Sequence, residues 1–180
     1  MAGQNAKFVN TSKFLSLVLR HDPGKIGIAL DSAGWVEVED LLAALAKHRN
    51  PTSKTLLAEI VAQDSKKRFS LSEDGKKIRA NQGHSVGVDL GYEAKVPPAA
   101  LHHGTAERNI PSIRATGLQK RDRHHVHLSA DVQTATIVGA RHGKPVVLTI
   151  DVEAMIQAGF KFYLSTNDVW LTEHVPSHFI

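Results

Sequence analysis

No cysteine occurs among the 180 residues. That absence removes disulfide frameworks, thiolate nucleophiles and cysteine-ligated zinc, so any chemistry must rest on nitrogen and oxygen groups. Also missing is any run of about 18 apolar residues. Met1 to Asn10 is polar, without the apolar stretch or cleavage pattern of a secretory signal. A cytoplasmic protein without a membrane span is therefore expected. Internal repeats and low-complexity segments are absent too. What is present is a hydrophobic fraction of 42%, enough for a core in one ordinary domain or two small lobes. Lysine and arginine total 22 against 18 acidic residues, giving a net charge of +4, and 11 histidines add charge as pH falls. This mild basicity fits polyanion binding without requiring it.

Asn10, Thr11 and Ser12 offer caps for a short helix in which Phe14, Leu15, Val18 and Leu19 recur at helical spacing, ending before Asp22-Pro23. Such a helix delivers Arg20 and His21 at its C-terminal end. Further helices are predicted from about Glu39, with Leu41, Leu42 and Leu45 inward, and from Thr52-Ser53, with Leu56, Leu57, Ile60 and Val61 inward. Residues 68–71 and 77–79 read as strands joined by a turn in which Asp74-Gly75 supplies positive φ. Helices followed by a hairpin predict a winged-helix lobe over residues 1–80. Periodicity fades across 81–98 while Gly83, Gly87, Gly91, Pro97 and Pro98 accumulate, the mark of a linker. The second lobe, 99–180, is strand-rich, with strands at 100–103, 126–128, 146–152, 160–164 and 169–171. Helices fit 106–116, closed by Gly117, and 132–142, closed by Gly143. The fold class is α+β.

Five segments carry candidate chemistry. Arg20-His21 is either a cationic helix end complementing its dipole or a phosphate-binding pair, arginine offering a fixed fork and histidine a proton or a charge. Lys66-Lys67-Arg68 is either a solvated run or, with Phe69 and Leu71 turned inward, a way of presenting Arg68 and Ser70 on the opposite face. His102 and His103 point to opposite faces of a strand with no carboxylate at ligand spacing, which argues against a metal. Gly104, Thr105 and the following helix start suit a ligand instead: close backbone approach, a hydroxyl donor and an anion-favouring terminus. Residues 121–129 are the densest cationic stretch. His125 and His127 share a strand face there, compatible with zinc or with a nucleotide pocket. Residues 165–171 read as a polar turn entering a strand with Trp170 as core, where Asn167 can help shape a pocket.

In this order, Leu19-Arg20-His21, Gly34-Trp35-Val36, Arg68-Phe69, His103-Gly104-Thr105, Arg123-x-His125-Val126-His127-Leu128-Ser129 and Val169-Trp170-Leu171 with Val175-Pro176 resemble the RNA 2′-phosphotransferase family, also called tRNA 2′-phosphotransferase. The resemblance runs from about Ser12 to Pro176. It implies a winged-helix lobe joined to an ADP-ribosyltransferase-like lobe that binds NAD⁺, with the active site in the cleft between them. It implies a two-step reaction on RNA bearing a tRNA splice-junction type of 2′-phosphate. The phosphate displaces nicotinamide to give an ADP-ribosylated RNA 2′-phosphate. The ribose 2″-hydroxyl then attacks phosphorus, leaving 2′-hydroxyl RNA and ADP-ribose 1″,2″-cyclic phosphate.

By this resemblance the catalytic set falls on Arg20, His21, Arg68 and Arg123. NAD⁺ falls to His103, Gly104, Thr105, Ser112, Gly117, His127 and Ser129, with no metal required and a monomer expected. Two positions depart from the family pattern: a usual tyrosine is His102, and a usual Asn-Gly is Asn167-Asp168. The alternative within enzymes is an ADP-ribosyltransferase acting on nucleic-acid phosphate ends without the second step. Outside enzymes, the alternative is a winged-helix nucleic-acid binder in which Lys66, Lys67 and Arg68 contact backbone phosphates.

Overall fold

The computed structural model describes residues 2–180, with side chains described from residue 6. It is an α+β protein whose sheets are small and antiparallel. The chain divides into two compact units, Met1–Gly91 and Tyr92–Ile180, each with its own hydrophobic cluster. Among the described residues no helix is long and apolar enough to cross a membrane.

The first unit opens on α1 (Ala2–Arg20), which starts well before the expected caps. Thr11 is only 1% exposed, and Phe8 packs against the core, so apolar contact extends the helix through the polar residues read as its start. Termination is as expected. Asp22 Oδ1 accepts from the Lys25 amide at 3.0 Å and opens a 3-10 turn, Pro23–Ile26, closed by Gly27 at φ 71°.

Strand β1 (Val36–Glu37) precedes α2 (Val38–Lys47) and α3 (Lys54–Gln63), the latter capped by the Ser53 hydroxyl accepting from the Leu56 amide. Hairpin β2 (Phe69–Leu71) and β3 (Lys77–Ala80) follows, its turn carrying Gly75 at φ 68°. With β1 it makes a sheet of order β1-β3-β2. Leu15, Leu19, Leu41, Leu45, Leu57, Ile60 and Ile78 are 1% exposed or less and form the core on which the helices and the hairpin close.

The stretch expected to link two lobes divides between the units. The Ser85 amide donates to Arg20 O and the Asp89 amide to Ser32 O, which ties residues 81–89 to the first unit. The Lys95 amide donates to Phe162 O, and Ala94 bridges Tyr163, within the second.

In the second unit, β4 (Ala100–Ala106) pairs with β7 (Pro145–Asp151) in antiparallel register. A 3-10 turn, Glu107–Asn109, separates β4 from α4 (Ile110–Thr116), so the strand does not run directly into an α-helix as expected. Short β5 (Leu118–Gln119) pairs with β10 (His174–Val175). The strands β6 (Val126–Leu128), β8 (Tyr163–Leu164) and β9 (Trp170–Thr172) form a sheet of order β6-β9-β8, and the backbones of His102 and Ser129 exchange both bonds at 2.8 Å beside it. Helices α5 (Val132–Ala140) and α6 (Val152–Gln157) complete the unit, each N-capped by an aspartate, Asp131 or Asp151.

Candidate functional site

In the first unit one short segment touches all three cations singled out from the sequence. The end of α1 carries Arg20 and His21. The Ser85 amide donates to the Arg20 carbonyl at 2.9 Å, and the Ser85 hydroxyl bonds His21 Nδ1 at 2.9 Å, which sets the plane of that ring. Between Asn81 and Ser85 lies Gly83, at φ 83°, against the Arg20 guanidinium: a Cβ there would stand 3.7 Å from Nη1 and 3.9 Å from Cζ. Upstream, the Asn81 amide donates to the Arg68 carbonyl at 2.8 Å. Arg20, His21 and Arg68 thus border a single stretch of five residues, 81–85, which the sequence marks only as linker.

Arg68 is held from a second side. Asp64, the residue after α3, is buried, and its carboxylate accepts from the Arg68 amide at 2.7 Å, from Arg68 Nη1 at 2.5 Å and from the Lys66 amide at 3.2 Å. The loop it braces needs bracing, since Lys67 sits at φ 42°, a region costly for side-chain-bearing residues. Asn81 helps: its Nδ2 donates to Lys67 O at 2.7 Å while its Oδ1 accepts from Ser70 at 2.8 Å. As expected, Phe69 is buried and Leu71 packs on the same core, leaving Arg68 and Ser70 on the other face.

In the second unit the candidates form a smaller chain. Arg123 Nη1 donates to His127 Nδ1 at 3.4 Å, which makes His127 the Nε2–H tautomer and a donor at its other nitrogen. His103 Nδ1 donates to the His127 carbonyl at 3.0 Å. Burial holds the His103 imidazole below its ordinary pKa, the nearby Arg123 charge adds to this, and the bond to His127 opposes it. His125 lies 5.4 Å from the Tyr163 ring and 6.3 Å from that of Tyr92. Its pKa is also lowered, first by burial, then by His124 and Lys120, with Glu173 opposing.

The remaining nucleotide-binding candidates are spread over several surroundings. Strand alternation puts His103 and Thr105 on one face of β4, opposite Leu148 and Val146, and Gly104 on the other. Continuing the His102–Ser129 register places His127 across from Gly104, on the face that Ser129 shares. Thr105 is buried and accepts from Asn109 Nδ2 at 3.0 Å. Ser112 is exposed on α4.

For two glycines the structure adds a packing reason to the one expected. A Cβ on Gly104 would lie 1.7 Å from the Ala135 carbonyl oxygen, so glycine there lets α5 pack onto β4. A Cβ on Gly117, at φ 73°, would meet Val175 O at 2.1 Å, so this residue both caps α4 and admits β10.

The sequence is similar to known proteins along nearly its whole length. A family model described as "RNA 2′-phosphotransferase, Tpt1 / KptA family" matches residues 6–174. A protein of Trichormus variabilis is 50% identical over 177 residues, 98% of this chain and 97% of its own length. One of Rhodopirellula baltica is 54% identical over 175 residues, 97% of this chain and 95% of its own. One of Pectobacterium atrosepticum is 51% identical over 175 residues, 97% of each. All three bear the description "Probable RNA 2′-phosphotransferase".

Proposed function

Because this chain belongs to the RNA 2′-phosphotransferase, Tpt1 / KptA family, we propose that it removes an internal 2′-phosphate from RNA with NAD⁺ as co-substrate. Arg20, His21, Arg68 and Arg123 hold the phosphate. The first unit, helices followed by the β2–β3 hairpin, is read as a winged-helix lobe, and the second as ADP-ribosyltransferase-like. The observation that carries this reading is the segment 81–85, which borders Arg20, His21 and Arg68 together. Scattered solvated cations would have no need of a shared brace.

The donor set of the second unit suits a pyrophosphate-bearing nucleotide. His127 supplies an N–H at Nε2 and Ser129 a hydroxyl on the same face, beside the Arg123 guanidinium assigned to the RNA phosphate. The NAD⁺ assignment extends to His103, Gly104, Thr105, Ser112 and Gly117. For the glycines and Thr105, packing is a sufficient reason for their presence, so support for the nucleotide site rests on His127 and Ser129.

The co-substrate supplies a C1″–nicotinamide bond that breaks with both electrons leaving on nicotinamide. The RNA 2′-phosphate oxygen takes its place at C1″. In the second step the 2″-hydroxyl attacks phosphorus and the RNA 2′-oxygen leaves, regaining a proton as 2′-hydroxyl RNA, while the cyclic phosphate departs with ADP-ribose. The first step needs the phosphate dianion positioned at C1″, and the second gathers negative charge on phosphoryl oxygens; fixed guanidiniums serve both without reorganising. His21, its ring plane set by Ser85, donates to the phosphate or to the departing 2′-oxygen.

The test is incubation of purified protein with a short RNA bearing an internal 2′-phosphate, with and without NAD⁺. Product 2′-hydroxyl RNA and cyclic phosphate should form only with NAD⁺. A stable ADP-ribosylated RNA with no cyclic phosphate would instead identify a transferase that stops after the first step, and NAD⁺-indifferent RNA binding would identify a non-catalytic binder.

A further inference from the structure

We infer that Asp64 is a positioning residue for Arg68, and that it acts on the step in which phosphorus is attacked. This rests on the assignment of Arg68 to the RNA phosphate. The carboxylate side chain is 5% exposed whereas that of Arg68 is 29% exposed. A buried carboxylate is costly unless paired, and here a single group accepts from the Arg68 amide, from Arg68 Nη1 and from the Lys66 amide. Backbone and guanidinium of the same residue are therefore gripped at once.

Two consequences follow from the chemistry of arginine. The guanidinium is a rigid fork, so fixing Nη1 fixes the directions of Nη2 and Nε, the donors on the edge that Asp64 leaves for a phosphate. An arginine on a strained, cation-rich loop would otherwise sample many rotamers, and each productive encounter would have to order it. The loop itself is locked from the far side by Asn81, which bonds Lys67 O, Ser70 and, through its amide, Arg68 O. Asp64 is thus the one acidic group among these contacts. Its charge also offsets part of the crowding among Lys66, Lys67 and Arg68.

Single-turnover rapid quench on 2′-phosphate RNA with NAD⁺ separates formation of the ADP-ribosylated RNA from its conversion to 2′-hydroxyl RNA. Asp64→Asn is isosteric and keeps an oxygen for one of the two loop amides but loses the charge that holds Nη1. It should slow the second step about 10- to 100-fold and let the intermediate accumulate. Arg68→Ala should do the same. In the Arg68→Ala background, Asp64→Asn should add less than about 2-fold, since its route to the phosphate is already gone. A wild-type second-step rate in Asp64→Asn overturns the proposal, as does an equal slowing with and without Arg68, which would mark a purely structural loop residue.

If Asp64→Asn does not fold, the unsubstituted protein still decides. Nitrogen-15 spectra should show separate Nη resonances for Arg68, the sign of a held guanidinium, and one averaged resonance overturns the proposal. Wild-type protein that forms no product overturns the parent reading too, whereas wild-type turnover with an unaffected Asp64→Asn overturns this inference alone.

Discussion

Arginine and histidine are common at helix ends and on solvated loops, and what distinguishes those on this chain is the company they keep. Arg20 lies along the backbone of Gly83, His21 is bonded to Ser85, and Arg68 is bonded to Asp64. None of the three belongs to the apolar core, so their removal should affect chemistry far more than stability. Arg20→Ala, His21→Ala and Arg123→Ala are each expected to lower product formation at least about 100-fold, the scale of losing one fixed donor to a developing oxyanion. Chemical denaturation should show a loss of no more than about 1 kcal/mol. Turnover at the unsubstituted rate in any one of them removes that residue from the phosphate site.

The sequence motifs located Arg20, His21 and Arg68 but not their braces. Asp64 and Asn81 sit at ordinary turn positions. Ser85 sits in a stretch whose composition reads as linker. Local composition carries no record of which side chain a loop will lean on.

At the level of elements, most helices and strands were legible because apolar spacing and turn chemistry agree. The Ser53 cap, the Asp74-Gly75 hairpin and the Gly117 terminus all stand where expected. Three features were not. Helix α1 begins early because Phe8 and Thr11 find a core to pack on. The 3-10 turn after β4 depends on Pro111 and on Asn109 bonding Thr105. Gly104 is governed by α5, a partner some thirty residues away in sequence.

The backbone at Asp168 also carries a prediction at this scale. Asp168 adopts φ 60° in the turn 165–169, where Ser165 accepts the amides of Val169 and, through its carbonyl, Asp168. Left-handed backbone costs any side-chain-bearing residue more than glycine. Asp168→Gly is therefore expected to raise stability by about 0.5–1 kcal/mol, read as a higher urea midpoint, with the turn unchanged. A lower midpoint would show that the aspartate makes a contact worth more than the strain.

On the scale of the whole molecule, two units with separate cores share the candidate residues between them. The titration of the second unit gives a test of its packing. His103 and His125 both have pKa values lowered from 6.5, chiefly by burial. Above that value the native and unfolded imidazoles are both neutral, and stability is intact. As pH falls through 6.5 towards the native values, the unfolded chain takes up protons first and stability is lost. The urea midpoint should therefore fall between about pH 7.5 and about pH 5, well above the range in which the exposed carboxylates Asp74 and Asp131 titrate. His125→Phe, which keeps an aromatic ring between Tyr92 and Tyr163, should make that fall shallower. An unchanged slope would show that His125 is accessible to protons in the native state.

The sequence by itself determined the α+β class, most element positions, the family and the identity of the candidate cations. Those properties depend on periodicity, on turn chemistry and on an ordered set of short motifs, all of them local in the chain. Tertiary structure alone decided that the segment 81–85 borders Arg20, His21 and Arg68, that Gly104 serves helix packing, and that a buried aspartate grips the third cation. These are contacts between residues brought close by folding, and the arginines that opened as ambiguous charges acquire their directions only from such contacts.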